Sequence, residues 1–401
     1  MPDVYVDHAA TTPLDPRVLE AMMPFLGDAY GNPSSFHMRG KRVKDAVEDA
    51  REIVATILGA RSDEIVFTSG GTESDNLAVL GYARMHKEQA HHLVSTTIEH
   101  HAVLETVRHL NKKEGFEVTE IPVDVDGLVD PEAVVHALCD DTSLVSVMYA
   151  NNEIGTIEPI AEVGRMIEAW KKEHPKSPLV LHTDACQAAG ALLLDVRKLH
   201  VDLLTLNGSK IYVPKGVGVL YVRRGVKLMP LQFGGSQEKG LRPGTEHIAG
   251  IIGLAKALEI ADEEREGEQV RLTLLRDNLI ERVLKDIPKT RLNGHPTKRL
   301  PNNVNISFMD LEGEALLLYL DAAGIYASTG SACTSASLDP SHVILALGMP
   351  YEVAHGSLRF SLGRSTTQKD IDYIVETLPP LVEKLRRISP VRVSEKYYQS
   401  T

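Results

Sequence analysis

Two short apolar runs, each leading into polar residues, constrain the fold of this sequence more than any other feature. Residues 179–181 lead into Asp184, and residues 201–206 lead into Lys210. Short, continuous apolar segments of this kind are typical of buried parallel strands. Because ligands of open α/β sheets bind outside the carboxyl ends of the strands, we expect the acid and the lysine to face one crevice.

This pairing of an acid with a lysine indicates a particular cofactor chemistry. An acid opposite a pyridine nitrogen and a lysine that forms a Schiff base are the minimum that a protein supplies to pyridoxal 5′-phosphate (PLP). A phosphate end is predicted where a strand at 64–68 meets the turn Gly70-Gly71-Thr72 and a helix starting near Glu73. Free N–H groups at such a helix start bind anions, although a plain capped turn is the alternative interpretation.

A histidine and a cysteine add candidate reactive groups. His100 follows a strand at 93–97, where it could stack on a flat cofactor or move protons, or simply be a solvated histidine at a helix start. Cys333 lies among Gly, Ser, Ala and Thr, so it is either a reactive thiol or an incidental exposed one. Cys139 is predicted to be a small core residue, and Cys186 to face away from Asp184 in the core.

Length and charge exclude several classes of protein. A chain of 401 residues is too long for one ordinary core, so we expect two domains. The net charge of −12 disfavours general binding to nucleic acid or to an anionic membrane. No apolar run approaches the ~20 residues that span a bilayer, and the first residues do not form a signal peptide, so we expect a cytoplasmic protein.

Several motifs together resemble a known family. The chain is similar to the cysteine desulfurases of the class-V aminotransferase group, which are fold-type-I PLP enzymes, from residue 4 to about residue 390. The cysteine loop resembles the mobile-loop branch of the nitrogen-fixation and housekeeping type. The motifs that carry the resemblance are FTSGGTESDN from Phe67, EHHAVLET from Glu99, NNEIG from Asn151, NGSKIYVPKG from Asn207, STGSACTSAS from Ser328 and SLRFSLGR from Ser357.

The resemblance implies an α/β fold of two domains. A large PLP-binding domain, residues 16–255, would contain a mostly parallel sheet of the seven-stranded type flanked by helices. A smaller α+β domain would comprise residues 1–15 and 256–401 and carry the cysteine loop at 328–340. The domain change is expected within a long helical pattern from Ile248, which we expect to bend or break in the charged segment 262–268.

The resemblance also implies a role for each matching position. Lys210 would form the Schiff base, Asp184 would keep the ring nitrogen protonated, and His100 would stack on the ring and transfer protons. The other contacts would involve polar groups around the ring, the phosphate and the substrate carboxylate: Asn152 and Gln187 at the ring, Gly71, Thr72, Asn207, Ser209 and Thr245 of the partner subunit at the phosphate, and Asn32 and Arg359 at the carboxylate. Asn207 and Ser209 stand where the family usually has Ser and His, which predicts rearranged phosphate contacts.

The implied reaction removes sulfur from L-cysteine, leaving L-alanine and a persulfide on Cys333. A homodimer would pass this sulfur to an acceptor protein, such as an iron–sulfur scaffold, for cluster assembly or tRNA thiolation. No metal is expected in the isolated chain, although Cys333 could ligate an iron–sulfur cluster in a transfer complex. The alternatives are a selenocysteine lyase or related β-elimination lyase, and a non-catalytic sulfur-relay scaffold.

Overall fold

A computed structural model describes residues 2–329 and 339–398, so Cys333 lies outside the described residues. The strands are β1 (Val4–Tyr5), β2 (Ile65–Thr68), β3 (His92–Thr96), β4 (Glu117–Ile121), β5 (Thr142–Ser146), β6 (Val180–Asp184), β7 (Leu203–Asn207), β8 (Gly218–Val222), β9 (Thr290–Leu292), β10 (Asn303–Phe308), β11 (Ile325–Tyr326) and β12 (Ser357–Ser361). The helices are α1 (Pro16–Leu26), α2 (Met38–Ile57), α3 (Gly71–Met85), α4 (His101–His109), α5 (Pro131–His136), α6 (Ile160–Glu173), α7 (Val196–Leu199), α8 (Ile248–Asp286), α9 (Gly313–Ala322), α10 (His342–Ala346), α11 (Tyr351–His355) and α12 (Gln368–Ile388).

A seven-stranded sheet forms the centre of the larger part of the molecule. Its strand order is β2-β8-β7-β6-β5-β3-β4. The strands from β7 to β4 are parallel, whereas β8 runs antiparallel to both β2 and β7. The prediction of an α/β fold with a mostly parallel sheet is confirmed.

Both faces of this sheet are covered, which explains the continuous apolar runs. Leu203 and Leu204 are neighbours on β7, yet they belong to two different hydrophobic clusters. Side chains alternate between the faces of a strand, so a strand buried on both faces needs an apolar residue at successive positions. The run at 201–206 therefore predicted a central strand correctly.

The second part of the molecule has its own antiparallel sheet and hydrophobic cluster. The strands β12, β10 and β9 pair in that order, while β1 pairs with β11. The cluster beneath them includes Val4, Phe360 and Leu378. Because β1 pairs with β11, we propose that residues 1–15 belong with residues 256–401 as one domain.

Helix α8 connects the two parts without the predicted break. It is one helix of 39 residues that contributes Leu254 to the first core and Leu279 to the second. The charged segment at its middle is stabilised by ion pairs, including Arg17 with Glu264. These pairs let a polar segment remain helical between the two cores, so the expectation of a break was wrong.

The local signals around the sheet were largely informative. Asp15 caps α1 and Pro16 occupies its first turn, as the sequence predicts. Cys139, in contrast, is exposed and not a core residue, because α5 ends at His136, before the cysteine. Among the residues that the structure describes, no helix combines the length and apolar character needed to cross a bilayer.

Candidate active site

One cavity collects most of the predicted site residues at the carboxyl ends of β5, β6 and β7. Its volume is about 350 Å³, which is within the range of small-molecule sites. The polar or charged lining residues that the sequence predicted, together with the glycine of the turn, are Gly71, Thr72, His100, Asn152, Asp184, Gln187, Asn207, Lys210 and Arg359. The parallel strands place these residues together because their carboxyl ends share one edge of the sheet.

The start of α3 forms one end of this cavity. The helix begins at Gly71, two residues before the predicted start, and Gly70 ahead of it has a φ of 153°. A Cβ atom at position 71 would lie 2.9 Å from the Cys186 sulfur, so only glycine lets the helix start approach this closely. The free N–H groups of a first helical turn attract an anion, and the Thr72 side chain lines the cavity beside them.

The acid and the lysine face this same cavity. Asp184 ends β6, is 6% exposed, and accepts a hydrogen bond from the Cys186 N–H at 2.8 Å. Lys210 follows β7 in a short 3-10 turn, and its Nζ donates to the Ala10 carbonyl at 2.6 Å. Lys210 is thereby held at the cavity by the segment that precedes α1.

His100 caps α4 and is held by that cap. Its Nδ1 accepts a hydrogen bond from the Ala102 N–H at 3.1 Å. Burial lowers the pKa of His100, so the ring is neutral near pH 7. Because Nδ1 is an acceptor, the neutral ring carries its proton on Nε2, which can donate it.

Arg359 is a buried cation on the cavity wall. Its side chain is 2% exposed, and its two terminal nitrogens donate to Asp7 at 2.8 Å and to the Asn152 carbonyl at 2.9 Å. Its Nε has no hydrogen-bond partner among the described residues. Gln187 donates from Nε2 to the Ala9 carbonyl at 3.0 Å, which fixes its amide beside Lys210.

Asn207 and Ser209, for which rearranged phosphate contacts were predicted, bond to each other. Asn207 Oδ1 accepts both the N–H and the hydroxyl of Ser209, each at 3.2 Å. The Ser209 hydroxyl is therefore turned towards Asn207, and Ser209 is not part of the cavity lining, whereas Asn207 is. Of these two residues, only Asn207 can contact a ligand in the cavity, through its side-chain NH2 group.

Two other predicted residues lie away from the cavity of this chain. Asn32 and Thr245 are exposed, and neither lines the cavity. Asn32 instead accepts the Ser34 N–H at 2.8 Å through its side-chain oxygen. Both roles therefore stay predictions.

The cavity also contains residues that the sequence reading missed. Asp75 and Glu153 are buried acids on its wall, and His342 from α10 lies at its edge. Burial raises the pKa of Glu153 to about 7, and Ser341 donates a hydrogen bond to this carboxylate. Asp75 follows Gly71 by four residues, so helical spacing from the glycine turn could have identified it.

Cys186 corrects a second expectation. The residue is buried, as predicted, but it lines the cavity next to Asp184 and does not face away from it. The prediction misapplied strand alternation, because side chains two positions apart, such as those of Asp184 and Cys186, point to the same face of a strand. Burial raises the pKa of its thiol, which keeps this sulfur protonated.

The residues present fit PLP. The N–H groups at the start of α3 suit a phosphate, and glycine at position 71 leaves room that a Cβ atom would fill. Asp184 suits a protonated ring nitrogen, and Lys210 supplies the amine. Asp75, His100 and Asp184 hold donor atoms within 4.8 Å of one another, a spacing that metal sites also use. These three residues line the same cavity as the groups that suit PLP, so PLP explains their proximity. That the isolated chain holds no metal stays a prediction.

Comparison with known proteins gives the same assignment. Residues 4–374 match the family described as Aminotransferase class-V. Cysteine desulfurase IscS of Methanosarcina thermophila is 52% identical over 392 residues, which cover 98% of this chain and 95% of that protein. Cysteine desulfurase IscS of Dictyoglomus turgidum is 51% identical over 390 residues, covering 97% of each chain.

Solved structures agree with the sequence relatives. A NifS-like protein superposes with a TM-score of 0.89 at 38% identity, covering 96% of this chain and 100% of that one. The protein SspA in complex with cysteine gives a TM-score of 0.77 at 35% identity, covering 90% and 98% of the two chains. The chain therefore belongs to the class-V aminotransferase family, among its PLP-dependent cysteine desulfurases of fold type I.

Proposed function

We propose that this protein removes sulfur from L-cysteine, releasing L-alanine and leaving the sulfur as a persulfide on Cys333. The observation that carries the proposal is that Lys210 and Asp184 share one cavity with the glycine start of α3. Bound PLP supplies an electron-accepting ring that stabilises negative charge at the substrate Cα. The residues of the chain then bind the substrate, move its protons and receive its sulfur.

Each described side chain has a task in this reaction. Arg359 lines the cavity, and its guanidinium would bind the substrate carboxylate, since a planar fork of N–H donors suits carboxylate binding. Asp184 would hold a proton at the ring nitrogen. Lys210 would bind the cofactor's aldehyde carbon, and on release its amine would take the Cα proton. Neutral His100 can donate a proton from Nε2 to the departing alanine.

The sulfur step balances through Cys333. Its thiolate attacks the substrate sulfur, a new S–S bond forms, and the Cβ–S bond breaks with its electron pair left on carbon. One proton then completes the methyl group of alanine, and the proton that Lys210 took returns to Cα. The products are one alanine and one Cys333 persulfide, and this covalent capture divides the reaction into two easier steps.

Replacement of Cys333 tests this mechanism. Cys333→Ala should retain the visible absorbance of bound PLP but lose alanine formation from L-cysteine, with or without a reductant. The matched control is Cys139→Ala, which removes an exposed thiol outside the cavity and should keep full activity. Sulfide and pyruvate from L-cysteine in Cys333→Ala would support a β-elimination lyase, and unchanged alanine formation would support a mechanism of the selenocysteine-lyase type that needs no thiol. Absence of bound PLP from the wild-type protein would support the non-catalytic scaffold.

We also propose that the enzyme acts as a homodimer. Exposed apolar side chains in the segments that contain Asn32 and Thr245 support a dimer interface there. Tyr30, Phe36, Met38 and Phe233 are 72%, 107%, 79% and 85% exposed. A dimer would cover them and could bring Thr245 to the cofactor of the other subunit. The mass in solution should then be about twice the 44.0 kDa of one chain, and a single-chain mass would contradict the dimer.

Mixed dimers test whether Thr245 acts across that interface. Lys210→Ala and Thr245→Ala chains, refolded together, should form dimers in which one site contains both native residues. Cofactor affinity and turnover would then recover at this site. If Thr245 acted within its own chain, no site would contain both residues and mixing would restore nothing.

The acceptor of the sulfur is the last part of the proposal. A persulfide on Cys333 would pass to an acceptor protein such as an iron–sulfur scaffold, or to a tRNA-thiolation pathway. Transfer of labelled sulfur from L-cysteine to a purified scaffold protein, dependent on Cys333, tests the first outlet. In the complex with the scaffold protein, comparison of the iron–sulfur absorbance of wild type and Cys333→Ala would test whether Cys333 ligates the assembling cluster.

A further inference from the structure

Asp75 is a buried acid in the cavity that none of the proposed steps uses. It lies one helical turn after Gly71 on α3, so its side chain is on the same face of the helix as that glycine. The residue is 1% exposed, and its Oδ1 has no hydrogen-bond partner among the described residues. A buried carboxylate oxygen without a donor is costly, because it has lost its water and gained no replacement.

Asp75 is also close to a second acid. Its carboxylate lies within 4.8 Å of Asp184 and of His100. Two carboxylates this close in a dry site do not both ionise, so the pair retains a proton. Of the two, Asp184 has the better support for a charge, because the Cys186 N–H donates to it at 2.8 Å.

Within the part of the chain that the structure describes, the charges that act most strongly on Asp75 are acids; Lys210 lines the same cavity, but its Nζ donates to the Ala10 carbonyl. His182 Nε2 lies 3.6 Å from Asp75 Oδ1, but burial lowers the pKa of His182 to about 4 and the ring is neutral. Glu99, ahead of α4, adds a further acid nearby. Burial first, and then the charge of Asp184, raise the pKa of Asp75 well above its usual range, against an opposing hydrogen bond from Thr205.

We propose that Asp75 is the neutral, proton-bearing member of a carboxylic acid–carboxylate pair with Asp184, and a positioning residue for the cofactor. This rests on the proposed function, in which Asp184 meets the ring nitrogen of PLP. A neutral Asp75 keeps the pair at one negative charge, which matches one protonated ring nitrogen. Asp75 therefore acts through Asp184 and does not itself touch the substrate.

Infrared spectroscopy tests the protonation without using activity or the cofactor. Cofactor-free wild-type protein at neutral pH should show the carbonyl stretch of a protonated carboxylic acid that Asp75→Asn lacks. Glu99, Glu153 and Glu158 would absorb in the same region, so the band is taken from the difference between variant and wild type. Asp184→Asn should retain it, because burial, the larger cause of the raised pKa, still acts on Asp75 in this variant. Loss of the band in Asp184→Asn, or no difference for Asp75→Asn, would overturn the proposal.

Cofactor binding gives a second readout. Asp75→Asn keeps the shape and the neutral charge, so its PLP affinity at neutral pH should stay within about threefold of wild type. At alkaline pH, where Asp75 ionises in the wild type, the variant should bind PLP more tightly than the wild type. A fall of about tenfold or more at neutral pH would show that a charged Asp75 is needed, and would overturn the proposal.

The controls separate this proposal from the proposed function. Asp140→Asn removes one negative charge from an exposed site and should change neither the infrared difference nor the PLP affinity. Should Asp75→Asn not fold, Asp184→Asn alone decides the assignment, because the Asp75 band remains or disappears in it. Failure of the wild-type protein to bind PLP would refute the proposed function, whereas the infrared result stands without the cofactor.

Discussion

The close approach of α3 to Cys186 should make Gly71 and Cys186 energetically coupled. An alanine Cβ at position 71 would lie 2.9 Å from the Cys186 sulfur and 3.4 Å from the Asn207 Cβ. Non-bonded carbon contacts are comfortable at about 3.5–4.0 Å, so the sulfur contact is the severe one. Overpacking of this size costs about 1–3 kcal/mol.

A double-mutant cycle isolates that contact. Gly71→Ala also gains helix propensity, by up to about 1 kcal/mol, which partly hides the overpacking cost in the single variant. Cys186→Ala leaves that gain unchanged but removes the sulfur. The double variant should therefore be about 1–3 kcal/mol more stable than the sum of the two single variants predicts.

The assay is urea unfolding of the cofactor-free protein for the four members of the cycle. PLP titration of the same proteins should show about tenfold or greater weakening in Gly71→Ala, because withdrawal of α3 takes its N–H donors from the phosphate, with recovery in the double variant. Gly267→Ala is the matched control: its Cβ would meet nothing within 4 Å, so it should be stabilising or neutral. A coupling energy below about 0.5 kcal/mol would refute the close contact.

Four further changes probe the site and the fold. Burial raises the pKa of Glu158 to about 8, so the folded protein should lose stability as pH rises towards that value. Glu158→Gln should remove this loss, which has a slope of at most about 1.4 kcal/mol per pH unit in urea unfolding. Arg359→Lys should raise the KM for L-cysteine by about tenfold or more, with a smaller change in kcat, because an ammonium cannot replace a two-nitrogen fork. Glu238→Ala should cost about 3–5 kcal/mol in urea unfolding, because it leaves the buried Arg51 guanidinium without the carboxylate that it contacts at 2.7 Å. Lys210→Ala should lose both the Schiff-base absorbance and turnover.

Each of these expectations has an outcome that contradicts it. An unchanged pH profile in Glu158→Gln would mean that Glu158 is ionised in the folded protein at neutral pH. An unaltered KM in Arg359→Lys would remove Arg359 from substrate binding. A cost below about 1 kcal/mol in Glu238→Ala would mean that the pair contributes like a surface ion pair. Retained Schiff-base absorbance in Lys210→Ala would place the cofactor on another lysine.

Much of the sheet could be predicted because its signals are local. The apolar run at 201–206 predicted a strand buried on both faces, and Leu203 and Leu204 do lie in two separate cores. Asp184 and Lys210 follow their strands, so the shared edge of a parallel sheet already implied that they meet. The glycine turn at 70–71 likewise indicated a helix start with free N–H groups, and α3 does begin at Gly71.

Other features depended on contacts between distant parts of the chain. The break expected in α8 was wrong because Glu264 pairs with Arg17, about 250 residues away, and composition alone does not reveal that partner. Cys186 was expected to face away from Asp184, but side chains two positions apart share a face of a strand, so the sequence spacing already placed them together. Glu153 bonds to Ser341 across 188 residues, which no local pattern indicates.

The sequence by itself determined the fold class, the family's cofactor and most of the candidate residues that meet in the cavity, because strand burial, helix starts and glycine turns are encoded within a few neighbouring positions. Only the tertiary structure decided how the charges in the cavity are balanced. Whether Asp75 or Asp184 holds a proton depends on burial and on the groups that surround both, and those groups come from separate strands and helices. Burial, neighbouring charges and hydrogen bonds set the protonation of a buried acid, and all three depend on three-dimensional packing that residue spacing along the sequence does not reveal.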